Sequence, residues 1–165
     1  MQKIFRVVYI MLMCQAFISF SLLAQKKDFV LVEAESFNEK GGWVLDQQFM
    51  DQMGSPFLLA HGIGKPVQDA STEVMIPKKG TWHVYARTWN WCSPWKTKES
   101  PGRFKIAVNG AVLDNELGMG TQWNWEYAGS IEIKDKSNIV TLKDLTGFEG
   151  RCDAILFTKN KNSII

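Results

Sequence analysis

The stretch Thr72-Glu73-Val74-Met75-Ile76-Pro77-Lys78-Lys79-Gly80-Thr81-Trp82-His83-Val84-Tyr85-Ala86-Arg87-Thr88 decides the fold class. Two arms rich in β-branched and aromatic residues flank Pro77-Lys78-Lys79-Gly80. Pro sets φ, and Gly tolerates positive φ, so these four residues read as a turn. In the second arm Trp82, Val84 and Ala86 fall on one face and His83, Tyr85, Arg87 and Trp89 on the other. The first set reads as core. The second joins aromatic rings to hydrogen-bonding tips, which describes either a solvated sheet face or a platform for a polar ligand.

Outward from this turn the period of two recurs. Residues 28–35 open the domain as a strand. Residues 104–108 run into Asn109-Gly110, a strong hairpin signal because both residues accept positive φ. Residues 126–133 and 139–142 are joined by a charged loop, and residues 154–158 form a last apolar strand. Helical periodicity is nearly missing. The expectation is an all-β chain, an antiparallel β-sandwich of the jelly-roll kind. Two long segments, 37–67 and 89–102, are not plain strands, and loops of that length in a small domain carry function or small elements of their own.

The 165 residues allow one domain. Hydrophobic residues are 45% and charged residues 22%, the mixture of a globular chain. Residues 1–24 combine Lys3 and Arg6, an apolar run from Val7 to Ala24, and a small residue before Gln25, which reads as a secretory signal peptide. An uncleaved anchor is the alternative. Residues 25–158 are the folded module and 159–165 a flexible tail. The protein is expected to be exported to the periplasm, the cell surface or the medium, and not to span the membrane once processed. With Lys3 and Arg6 set aside, basic and acidic residues balance at 17 each. Nucleic-acid binding needs a basic footprint and is excluded. Cys92 and Cys152 then remain, and two separate thiols are expected rather than a disulfide. Without CxxC or a His–Cys cluster, no zinc site is expected.

The seven Trp residues are the compositional excess. Trp89, Trp91, Trp95, Trp123 and Trp125 fall in two places that a sandwich can bring to one rim. Indole faces stack on the C–H faces of sugars, although each ring alone is equally at home in a core. Glu33-Ala34-Glu35 sets two carboxylates on one face of a strand, where a hard cation such as calcium would offset their repulsion; Asp153 is a third carboxylate for it. His61, with Asp51 and Ser55 nearby in sequence, is the only hint of a hydrolase. No nucleophile elbow accompanies it, and nothing pairs Asp46, Asp51 or Glu126 across a glycosidase cleft.

Val32-Glu33-Ala34-Glu35-Ser36-Phe37 resembles the opening of bacterial carbohydrate-binding modules of families 6 and 35, calcium-containing jelly rolls of the galactose-binding-like type. Val74–Pro77, Gly80, Trp82–Arg87, Trp123-Asn124-Trp125 and Asp153-Ala154-Ile155 continue that likeness. The segments Gly41-Gly42-Trp43-Val44-Leu45-Asp46-Gln47-Gln48-Phe49, Met53-Gly54-Ser55-Pro56-Phe57-Leu58-Leu59-Ala60-His61-Gly62 and Asp144-Leu145-Thr146-Gly147-Phe148-Glu149-Gly150-Arg151-Cys152-Asp153-Ala154 resemble, more specifically, the N-terminal module attached to exported bacterial FAD-dependent oxidoreductases.

The resemblance implies a structural calcium on Glu33, Glu35 and Asp153. It also implies a sugar stacked on Trp123 or Trp125, with Trp89, Trp91, Trp95, Tyr85 and Arg87 as further candidate contacts. Arg151 stands where those modules often have Asn. Aided by Arg87 and Arg103 it would hold an acidic sugar; alternatively it pairs with Glu149. No Gly-x-Gly-x-x-Gly leads into a helix, so no FAD is expected and flavin chemistry does not carry over. The implied protein is a noncatalytic glycan binder, with a module docking to a separate carbohydrate-active enzyme as the alternative and a small hydrolase as the third.

Overall fold

A computed structural model describes residues 28–93, 95 and 100–162; the expected signal segment and Cys14 lie outside them. The chain is an antiparallel β-sandwich. One four-stranded sheet has the order β1 (Phe29–Glu33), β11 (Ala154–Thr158), β5 (Gly80–Thr88), β8 (Asn124–Ile133). A second has the order β4 (Ala70–Met75), β9 (Ser137–Asp144), β6 (Phe104–Val108), β7 (Ala111–Val112). Three further strands, β10 (Phe148–Cys152), β3 (Phe57–His61) and β2 (Trp43–Asp46), make a smaller sheet at one end. Between β2 and β3 lies a single helical turn, α1 (Met50–Met53).

β4 and β5 form as their alternation requires, but they do not pair with each other: the turn at 77–79 carries the chain from the sheet of β4 and β9 into the sheet of β5, β8 and β11. Trp82, Val84 and Ala86 are fully buried, and the Trp82 indole N–H donates to the Lys78 carbonyl at 2.9 Å, closing the turn. Core side chains come from all three sheets: Trp43 meets Phe104 edge to face at 5.6 Å, and Leu58, Ile106, Leu142, Ile155 and Phe157 fill the centre. Among the described residues, every core residue lies between Val30 and Phe157. A chain beginning at Gln25 therefore keeps the whole core.

Two features differ from the alternation. The opening strand stops at Glu33, and residues 34–36 form a 3-10 turn, because Ala34 turns its N–H to the Asp153 carbonyl and Ser36 Oγ caps the Glu33 carbonyl at 2.6 Å. Glu33 and Glu35 thus do not share a strand face. In β8 the ladder to β5 slips between Val84 and Tyr85, and Gly129, at φ 145°, absorbs the extra residue. Tyr127 consequently faces out while Ile131 packs against the core.

The expected flexible tail is also different in its first four residues. Lys159 Nζ donates to the carbonyls of Lys79 and Thr81 at 2.8 and 3.0 Å, and Tyr85 Oη donates to the Lys161 carbonyl at 2.5 Å. Residues 159–162 are therefore tied across β5; residues 163–165 lie outside the described part.

Several loops meet backbone to backbone. A Cβ on Gly147, whose φ is +65°, would stand 1.9 Å from the Lys65 carbonyl oxygen; Gly54, at φ +83°, has open space around it. Gly54→Ala should cost only the left-handed strain, about 1–2 kcal/mol. Gly147→Ala should cost about 3 kcal/mol or more, because strain and clash combine. Urea denaturation of the two variants measures the difference.

Candidate functional site

The long loops gather at the end of the sandwich where β5 leaves, β8 begins and β10 turns into β11. Hydrogen bonds between loops hold this rim. Asn90 donates its backbone N–H to Gly120, and Ser93 Oγ donates to the Thr121 carbonyl at 2.9 Å. Glu126 accepts the backbone N–H groups of Gly118, Met119 and Gly120, so this carboxylate is spent on backbone donors. Asp144 does the same for Val67, Thr146 and Gly147.

On this frame sit the aromatic rings. Phe49, Phe57, Trp89 and Trp123 form one cluster with centroid separations of 5.0–6.0 Å, mostly edge to face. Trp123 precedes β8 instead of lying within it, and its buried indole N–H has no partner. Its ring is a packing element. Trp125 lies within β8 opposite Arg87 and belongs to the sheet face, so the two Trp residues do not share a strand face. Trp91 stacks on Phe148 at 5.9 Å and 20°, and its Nε1 donates to the Phe148 carbonyl at 3.4 Å. Phe148 is 42% exposed and Trp95 77%. These three rings are the open part of the rim.

Arg151 is 5% exposed. Its guanidinium carbon lies 5.6 Å from the Trp89 ring centre and 5.8 Å from that of Trp91. Nη2 donates to Glu149 Oε2 at 3.1 Å. Desolvation pulls its pKa below the usual guanidinium value, opposed by Glu149, Asp46 and Cys92. The buried, paired cation supports two indoles from beneath. The expectation that it reaches an acidic sugar gives way to the alternative, the pair with Glu149. Glu149 itself has φ 63° where the β10–β3 register slips, a conformation costly for a residue with a Cβ. This geometry lets its carboxylate meet Arg151 on one side and His61 Nδ1 on the other, at 3.5 Å.

His61 accordingly faces Glu149, Ser55 Oγ donates to Asp153 at 3.2 Å, and Asp51 lies exposed on α1. The trio expected of a hydrolase is dispersed. Tyr85, a candidate contact, is buried and its hydroxyl is engaged by the tail. Arg87 Nη1 reaches Asp153 Oδ2 at 3.3 Å, which places it with the carboxylates rather than with the rings. Cys92 and Cys152 are free thiols, and burial pushes the Cys152 thiol well up.

Glu33, Glu35 and Asp153 lie within electrostatic reach of one another at the junction of β1, β10 and β11. All three pKa values are raised, first by desolvation, then for Glu33 by Glu35 and Asp153 and for Glu35 by Asp153. Arg87 pulls Glu33 and Asp153 the other way, and Ser55 adds to that pull on Asp153. Among the described residues no three His, Cys, Asp or Glu side chains converge as a metal cage. One buried oxygen of Glu35 is nevertheless without a hydrogen-bond partner, so the group has an unfilled acceptor as well as unbalanced charge. Phe49, Phe57 and Phe148 are the rim residues that sequence reasoning missed; they stand at single positions in long loops or short strands, where no period marks them.

No family model matches the chain, and no curated protein matches it. Solved structures do. A GH26-CBM35 β-(1,4)-mannanase from Podospora anserina matches with TM-score 0.61 and 17% identity over 80% of this chain, but only 28% of its own length. A family 35 carbohydrate-binding module from Clostridium thermocellum matches with TM-score 0.60 and 18% identity, over 79% of this chain and 98% of that one. The C-terminal CBM6 of a marine laminarinase from Zobellia galactanivorans gives 0.57, 18%, 79% and 99%. At these identities the likeness is one of fold.

A raised carboxyl pKa means that the folded state holds the proton more tightly than the unfolded chain does. The stability such a group lends is present below the ordinary carboxylate pKa and is lost as pH rises through the raised value. Glu35→Gln should therefore raise the melting temperature of metal-free protein at pH 7. The gain should vanish at acid pH, where Glu35 is protonated in both states. Thermal melts of both proteins in chelator across that range measure it.

Proposed function

We propose that this chain is a noncatalytic glycan-binding module of an exported protein, with its ligand on the rim. The observation that carries the reading is the near-parallel pair of Trp91, which is partly exposed, and Phe148, which is exposed, next to His61 across the β10–β3 ladder and its partner Glu149. A sugar ring needs a flat apolar face for its C–H groups and nearby donors and acceptors for its hydroxyls. The rim offers both. The fold likeness to carbohydrate-binding modules supports this use, and the apolar run from Val7 to Ala24 supports export.

In this reading Glu33, Glu35 and Asp153, with nearby backbone carbonyls, hold a calcium ion. The cation offsets their repulsion and ties the end of β1 to the junction of β10 and β11; Glu35 supplies the unfilled acceptor and Arg87 steadies Asp153. The ligand's charge follows from Arg151: with the guanidinium shielded, the rim selects neutral glycans over acidic ones. A second reading, a module docking to a separate carbohydrate-active enzyme, rests on neighbours such as the mannanase, of which the matching part is a minor share.

A glycan array on the purified chain tests the first reading. Trp91→Ala should lower affinity by about 2 kcal/mol, roughly 30-fold, with melting little changed. Trp123→Ala should instead lower stability by about 3 kcal/mol, because it opens the cluster around Phe49 and Phe57. Silence on the array, together with co-purification of an enzyme, favours the docking reading. Turnover of a glycoside or ester by the chain overturns the noncatalytic one.

Calcium is tested separately by melting. Addition of the ion should raise the melting temperature of the wild type by mass action and much less that of Glu35→Gln, so that the variant becomes the less stable protein. Equal melting with ion and with chelator counts against the cation.

A further inference from the structure

The pole opposite the rim is made of short connections: the turn at residues 77–79, Asn109-Gly110, the turn at 134–136, and the tied segment 159–162. Five lysines collect there, namely Lys78, Lys79, Lys134, Lys136 and Lys159; Lys161 instead lies over Tyr127 on the face of β5 and β8. The acids near them are Asp28, which pairs with Lys78 at 2.5 Å, Glu132, which accepts from Thr81, Asp135, and Glu73, which is held by Ser137. Lys159 is set against backbone carbonyls and stands 4.8 Å from the Trp82 ring centre, with the Glu132 side chain nearby.

Beside this cationic pole the sandwich is open between its edge strands β1 and β4. A groove of 360 Å³ runs there, lined by Phe29, Val30, Leu31, Met75, Pro77 and Lys136. Phe29, Leu31 and Met75 are 57, 49 and 53% exposed. Exposed large apolar side chains next to lysines are the composition of a surface that meets a lipid boundary, the apolar groups entering it and the ammonium groups facing phosphates. Asp28 at this pole is preceded in sequence by Lys26-Lys27, two further cationic residues next to the fold.

We propose that this pole rests on an anionic lipid surface, with Phe29, Leu31 and Met75 at the headgroup boundary. The rim then points away from the membrane. The proposal does not rest on the glycan reading, because it uses none of the rim residues.

The test uses the chain from Gln25, which keeps the whole core, and vesicles of phosphatidylcholine with or without phosphatidylglycerol. The protein should sediment with the anionic vesicles, not with the neutral ones, and high salt should release it. Lys134→Glu with Lys136→Glu should weaken binding at least about tenfold. Phe29→Ser should weaken it without changing the salt dependence. Lys79→Glu repeats the charge test at an exposed position if the first pair lowers the melting temperature. No sedimentation with anionic vesicles, equal sedimentation with neutral ones, or unchanged binding by the charge variants overturns the proposal. A dimer in sedimentation velocity that Phe29→Ser dissolves overturns it in favour of a second copy.

Discussion

The residue on which the rest depends is Asp153. β10 and β11 are a single run of chain that must serve two different sheets, and Asp153 is the one residue between them. Its N–H donates to the Arg87 carbonyl, and its own carbonyl accepts the Ala34 N–H. The backbone thereby turns from the small sheet into the large one without leaving a buried polar group unmet. Its carboxylate, also buried, takes Ser55 and Arg87. A buried charge is tolerated only with such partners, so the side chain selects the one arrangement in which β1, β3, β5 and β11 meet. The 3-10 turn after β1 and the crowd of carboxylates around Glu35 follow from that corner.

The rim inherits its order from the same strand. Two residues before Asp153, Arg151 lies buried beneath Trp89 and Trp91, and its partner Glu149 is held in a left-handed conformation to reach it. Glu149 also faces His61 on β3. Ring support, ion pair and strand register are thus one unit. The open rings, Phe148 and Trp91, owe their mutual orientation to groups that are themselves shielded from solvent.

Much of the scaffold was legible where neighbours in sequence are neighbours in space. β4, β5 and the Asn109-Gly110 turn show themselves through alternation and turn chemistry, and the buried face of Trp82, Val84 and Ala86 follows directly, whereas the passage of the 77–79 turn from one sheet to the other leaves no mark in the alternation. The small sheet was not legible, because Trp43–Asp46 and Phe57–His61 are short and interrupted by a helical turn, and their third partner β10 comes from far along the chain. The period of two misled where a single residue breaks it. Gly129 inserts a bulge, and Trp123 falls just outside its strand, so two rings of equal parity part company. Arg151 illustrates another limit. Sequence offered it either an acidic ligand or Glu149, and only the burial of its side chain decides for the latter.

The glycines of the rim divide the labour between backbone and side chain. Gly102, Gly118 and Gly147 let carbonyls of other segments approach to distances that any Cβ would occupy, so at these joints main chain meets main chain directly. None of those joints uses the indole, phenyl or imidazole groups that face outward. Such a rim can exchange its outward side chains during evolution and acquire a new ligand while its loops keep their places. The glycines themselves have no such freedom, and a family built on this plan would diversify at its aromatic positions while holding its joints constant.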